Sequence, residues 1–193
     1  MSFLGVFTLM IGTLLLAFLT GKIRGGKLHN LSNLYIDKWY LFALSFLIQI
    51  SSLLLAARTS GQLSNFIIRE FSFIHILIYL LFITALLFNW QERGFRIILL
   101  GSILNFLPIF LNGGRMPVSI RALRFSGLYT QLSLLDEGRI LTHTLAGESS
   151  RLFLLCDIIP LPEPLSKVIS LGDIFISAGI FYLIQFKMRE KNT

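Results

Sequence analysis

The chain has 193 residues, is 54% hydrophobic and only 14% charged, and has a mean hydropathy of +0.76. A soluble domain carries about a quarter charged residues, so lipid rather than water is the implied solvent. The net charge of +7 does not indicate nucleic acid, because the Lys and Arg residues flank apolar runs instead of forming one polar stripe. The single cysteine, Cys156, excludes an internal disulfide framework.

Five runs are free or nearly free of charge. They predict membrane-spanning helices over residues 3–20, 39–57, 71–90, 97–112 and 168–186, the last interrupted only by Asp173. Each approaches the ~20 residues that cross the hydrocarbon layer as a helix. Helix is the form required, because lipid satisfies no backbone polar group. The predicted fold is all-α and polytopic: one integral membrane domain with an extracytoplasmic cap of short helices over residues 113–167.

The first run lacks a basic leader and a small-residue cleavage site, so it reads as a span rather than a signal peptide. Lys22, Arg24, Lys27 and Lys38 follow it. The positive-inside rule then places that loop in the cytoplasm, the N-terminus outside and the C-terminal tail inside, in the cell membrane. Trp39, Tyr40 and Trp90 fall at the inner interface, as an aromatic belt requires.

The loop after the fourth run is too long to lack structure. Pro117 marks the start of a short helix over residues 117–123, stopped by Gly127. Residues 128–135 are apolar enough to lie on the membrane surface. Residues 152–159 are apolar but too short to span, and predict a re-entrant or interfacial piece ended by Pro160, Pro162 and Pro164.

Asp157 and Asp173 are the leading candidates for chemistry. Two carboxylates in a low-dielectric site cannot both ionise cheaply, so they share a proton and can activate water, as in aspartic peptidases. The competing reading is structural. Ser170-x-x-Asp173 fits a capping box at a helix start, and Asp157 can pair with Arg151.

Asn112-Gly113-Gly114-Arg115 follows the fourth run. Its glycines let backbone approach a ligand and Arg115 can bind an acidic head group; alternatively Gly113 ends the helix. His143 is a candidate general base, but no metal-ligand spacing occurs anywhere, so neither a metal nor another cofactor is implied. Cys156 reads as a small buried hydrophobe.

Polar residues in the spans, among them His75 and Gln49, favour the outer half of the bilayer, whereas Asn105 and Thr84 sit deeper. Together they predict a polar cavity at the outer face, lined by Asn112, Gly113, Gly114, Arg115, His143, Arg151 and His75. It would take a membrane lipid, a small molecule or a membrane-embedded peptide.

Several of these segments carry a resemblance. Asn112-Gly113-Gly114-Arg115-Met116-Pro117-Val118, His143-Thr144-Leu145, Arg151-Leu152, Asp157-Ile158-Ile159-Pro160 and Ser170-x-Gly172-Asp173 resemble an uncharacterised family of bacterial multi-pass membrane proteins. That resemblance implies a membrane fold and no particular activity. The order and spacing of Asp157 and Asp173 are also similar to those of lipoprotein signal peptidase, which implies an intramembrane aspartic hydrolase. Leu171-Gly172 departs from that enzyme's second aspartate motif, and five spans exceed its four.

Overall fold

The computed structural model describes residues 2–58 and 61–190, with side chains described for residues 9–57 and 61–190. Met1 and residues 191–193, where the predicted outer N-terminus and the end of the basic tail fall, lie outside the described residues. Long helices are α1 (Ser2–Ile23), α2 (Trp39–Arg58), α3 (Gln62–Phe88), α4 (Arg93–Leu111) and α7 (Leu171–Arg189). Between α4 and α7 stand the short helices α5 (Ile120–Phe125) and α6 (Tyr129–Asp136) and the strands β1 (Met116–Val118), β2 (His143–Leu145), β3 (Ile159–Leu161) and β4 (Lys167–Ile169).

The chain is an all-α polytopic membrane protein. Among the described residues, α2, α3, α4 and α7 are long and apolar enough to cross a bilayer, while the described apolar part of α1 is the shorter Leu9–Ile23. α3 starts nine residues before the predicted span. Arg69 pairs with Glu70 at 2.7 Å on its surface, so the charges do not interrupt the helix.

α4 and α7 form the tightest pair, and glycine sets their distance. Gly94 and Gly101 of α4 face Gly179 and Gly172 of α7. A Cβ on Gly101 would lie 2.6 Å from the Gly172 carbonyl oxygen, and one on Gly172 would lie 2.5 Å from that of Gly101. Both pairs are seven residues apart, two helical turns, so the small residues line one face of each helix. Leu86, Phe95, Ile98 and Leu183 fill the adjoining core, with Phe42 and Phe82 packed against them. On its other side α7 packs on α1, where Gln185 donates to the Ala17 carbonyl at 2.6 Å.

The glycine register places the start of α7 level with Gly101, well before the cap-side end of α4 at Leu111. The predicted span beginning at residue 168 is therefore corrected. Residues 167–169 pair with β3 as an antiparallel ladder, and the helix begins only after Ser170.

The cap departs from a purely helical design. Pro117 lies inside β1, not at a helix start, because proline forces Met116 before it into extended backbone. α5 begins instead behind Ser119, whose hydroxyl accepts from the Ala122 amide. In the 128–135 segment, α6 turns Leu135 inward against Val118, Leu123 and Ile140, giving the cap its own core. The 152–159 segment makes a 3-10 turn over Phe153–Leu155 that leaves Leu152, Phe153 and Leu154 exposed beside the ends of α4 and α7.

Candidate functional site

Where the cap meets α3, the end of α4 and the start of α7, the polar residues gather in one layer. Asp173 sits in the first turn of α7. Its Oδ2 accepts from the Ser170 amide at 3.0 Å while the Ser170 hydroxyl accepts from the Asp173 amide at 3.0 Å, a complete capping box. A carboxylate here also meets the positive end of the helix dipole. Its Oδ1 accepts from the Asn105 side-chain amide at 2.9 Å, and the Asn105 oxygen accepts from the Ser170 hydroxyl at 2.7 Å. Both carboxylate oxygens are thus occupied. Asn105, expected deeper than Asp173, is its direct neighbour because α7 starts so far below the end of α4.

Asp157 is held by β1. That strand bonds β2 in parallel along one edge, with Met116 opposite His143, and on its other edge bridges Asp157 through Val118. The Asp157 amide donates to the Pro117 carbonyl at 3.1 Å and the Ser119 amide to the Asp157 carbonyl at 2.9 Å. His143 and Asp157 therefore flank the same strand, and His143 Nε2 lies 3.4 Å from Asp157 Oδ2. The expected Arg151 partner is not the one found. The Arg151 side chain is exposed and has no partner among the described residues, while its backbone is held by Asn112.

Burial pushes the Asp157 carboxyl above its ordinary range. The hydrogen bond and charge of His143 oppose that shift, and the negative charge of Asp173 adds to it. The two carboxylates thus lie within electrostatic reach of each other, but among the described residues they share no hydrogen bond. His143 Nδ1 lies 2.7 Å from the Thr142 hydroxyl. With Asp157 ionised and the ring neutral, Nε2–H donates to the carboxylate and Nδ1 accepts from Thr142.

His75 of α3 is buried and places Nδ1 2.7 Å from the Gly114 carbonyl oxygen. Because a carbonyl only accepts, Nδ1 carries the proton. Tyr79, one turn further along, stacks edge-on with His75 at 5.3 Å and lies within electrostatic reach of Asp173 and Asp157. Tyr79 was missed in the sequence because an aromatic residue in a lipid-facing run has no polar signature.

The Asn112–Arg115 segment is mostly a joint. Asn112 donates to the carbonyls of Pro108 and Arg151 at 2.7 and 2.9 Å and accepts from the Arg151 amide at 2.8 Å. Gly113 has φ +70° and open space around it. Gly114, with φ +79°, lies so close to α3 that a Cβ would stand 2.6 Å from Ser72 backbone atoms. Its amide donates to the Ile109 carbonyl, the long bond of a Schellman helix end. Arg115 is different: half-buried, it makes no hydrogen bond or ion pair with any described residue.

Cys156 directs its thiol to the Leu152 and Arg151 carbonyls, and burial, aided by the charge of Asp157, pushes that thiol up to about 11. It stays protonated at neutral pH, the opposite of an activated nucleophile. Among the described residues no three His, Cys, Asp or Glu side chains are arranged to hold a metal ion.

No solved structure matches this chain. An uncharacterized protein of Thermotoga maritima is 31% identical over 181 residues, covering 91% of this chain and 88% of that protein. Residues 33–185, which include α2 through most of α7 and the whole polar layer, match a family model, and the chain belongs to that family of unknown function, DUF5317.

Proposed function

We propose that this protein is a membrane-embedded binding protein whose polar layer beneath the cap receives an acidic amphiphile of lipid type. The observation that carries this reading is the contrast between Arg115 and the carboxylates. Asp173 is saturated by its capping box and Asn105, and Asp157 is engaged by His143, whereas Arg115 stands at the same layer with no partner among the described residues. An unpaired guanidinium at the rim of a membrane protein suits a carboxylate or phosphate, which it can bind through two parallel hydrogen bonds. The exposed Leu152, Phe153 and Leu154 beside Asn112 are apolar contacts for the hydrocarbon part of the same ligand.

The cap lies outside in this reading. α1 residues 17 and 21 meet α7 residues 185 and 188 in rising order, so the two helices run in the same direction. Parallel first and last helices suit five crossings, with the basic loop after α1 and the tail after α7 on the cytoplasmic side.

The test is a photoreactive phosphatidylglycerol incorporated into vesicles with the full chain, with the labelled peptides mapped. Label within residues 112–157 in the wild type, reduced about tenfold in Arg115→Gln, is the expected result. Label indifferent to Arg115 would refute the reading.

A second reading, an intramembrane aspartic hydrolase, is favoured by one observation: the charge of Asp173 reaches Asp157. It requires the capping box to open so that both carboxylates can face one substrate. A peptide or acyl substrate whose cleavage stops in both Asp157→Asn and Asp173→Asn, with folding intact, would establish it.

A further inference from the structure

At the end of the molecule opposite the cap, an open groove of about 720 Å³ runs along α7. Its volume falls in the range of roughly 300–1,000 Å³ typical of ligand sites. Ile97 of α4 and Ala178, Phe181 and Phe186 of α7 are its apolar walls, and Arg24 and Arg189 stand at its mouth. With Tyr182 and Gln185, which also line it, the α7 residues Ala178, Phe181, Phe186 and Arg189 recur at spacings of three and four, so they form one stripe of that helix. From Ala178 to Arg189 the helix rises about 16 Å, half the ~30 Å hydrocarbon layer. The groove is therefore as long as one leaflet is deep, with its cations at head-group level.

The mouth is built to stay positive. Arg24 reaches Gln185 Oε1 at 3.4 Å, and Gln185 is itself anchored to α1 through the Ala17 carbonyl, so the guanidinium is held over the groove. Glu190, the acidic residue in the lining, pairs with Lys187 at 3.0 Å, and Lys187 also holds Glu92 at 2.8 Å. Among the described residues neither Arg24 nor Arg189 pairs with a carboxylate. The backbone around the mouth is fixed as well: the Lys27 amide and the Asn30 side chain both donate to the Met188 carbonyl, at 2.8 and 2.9 Å.

The geometry points to a resident anionic phospholipid in this groove, with its phosphate between Arg24 and Arg189 and one acyl chain along Ala178, Phe181 and Phe186. A zwitterionic lipid would bring a third positive charge to a mouth that already holds two. A soluble anion would gain the cations but leave the apolar walls unused. This assignment concerns a different end of the bundle from the site beneath the cap and does not depend on it.

Native mass spectrometry of the full chain in detergent tests it, on an Arg115→Gln background (the wild type for the groove) so that the site beneath the cap takes no lipid, with phosphatidylglycerol and phosphatidylcholine added in parallel. The wild type is expected to retain one phosphatidylglycerol and little phosphatidylcholine. R24Q/R189Q is expected to lose that selectivity, with retention at least about tenfold weaker. R121Q/R124Q, which removes two exposed cations of the cap, is expected to behave as wild type. Ala178→Trp, which fills the groove without changing charge, should also expel the lipid; the arginine variants decide the matter if that one fails to fold. Equal retention of the two lipids by wild type, undiminished phosphatidylglycerol in R24Q/R189Q, or an equal loss in R121Q/R124Q would overturn the assignment. So would displacement of the lipid by glycerol 1-phosphate alone, which would mark a simple anion site.

Discussion

Asn105 of α4 donates to Asp173 of α7 across 2.9 Å, tying the tightest helix pair together at the first turn of the last helix. The bond exists because glycines bring the two backbones together just below it: Gly172, one residue before Asp173, rests against Gly101. A carboxylate held by a helix-end amide, by the dipole and by a neighbouring amide is a structural group. Replacing Asp173 with Asn removes one acceptor and turns an NH₂ toward either the Ser170 amide or Asn105. Thermal unfolding in detergent should show a loss of about 1–3 kcal/mol. Ser170→Ala should cost about 1 kcal/mol for the cap and more for the Asn105 oxygen left without its donor.

The glycine pairs make a sharper prediction. Gly101→Val would drive a branched side chain into the Gly172 carbonyl and Ile176 backbone, where no flexible atom can yield. The expected result is failure to fold, or a loss beyond the roughly 1–3 kcal/mol of ordinary overpacking. Gly12→Ala is the control, since nothing lies within 4 Å of the added Cβ. It should be neutral or stabilising by up to about 1 kcal/mol, as alanine is favoured in a helix.

Lys167 poses a problem that a mutation can remove. Its Nζ is buried and has no hydrogen-bond partner among the described residues. Burial holds its ammonium below the ordinary lysine value of 10.5. The folded state therefore binds fewer protons than the unfolded chain between the lowered value and 10.5. Wild-type stability should rise with pH through that window. Lys167→Met should be more stable at pH 7, by about 1 kcal/mol or more, and should lack that rise. Melting temperatures at pH 7 and pH 10 compare the two directly.

Asp157 gives the opposite slope on the acid side. Burial raises its folded value above the ordinary 3.8, reinforced by Asp173 and opposed by His143. The folded state then keeps a proton that the unfolded chain has released. The contribution to stability is complete below 3.8 and is lost as pH rises through the folded value. Asp157→Asn should flatten that part of the stability profile. In the same variant, nitrogen NMR of His143 should show whether the Nε2–H assignment depends on the carboxylate; an unchanged ring would mean that Thr142 alone sets the tautomer.

Much of this was legible because a lipid solvent excludes charge. The extent of α2 and the end of α4 stand out as edges of uncharged runs, the starts of α4 and α7 do not coincide with such edges, and the Ser170-x-x-Asp173 spacing announces the capping box that the structure contains. Relative depth was not legible. Asn105 looks deep when α4 is measured alone, and its place beside Asp173 depends on the register of two helices separated by the whole cap. The spacings Gly94 to Gly101 and Gly172 to Gly179 were the available signal for that register. The partner of Asp157 was illegible for a similar reason. Arg151 is near in sequence, but His143 is brought alongside by strand pairing on the far edge of β1.

The central claim is that Arg115, not the carboxylates, meets the ligand. Its most direct test is photolabelling of residues 112–118 by phosphatidylglycerol in Arg115→Gln and Asp157→Asn, side by side with wild type. The account predicts label lost in Arg115→Gln at unchanged melting temperature and retained in Asp157→Asn. Label that persists without Arg115 and disappears without Asp157 would contradict it.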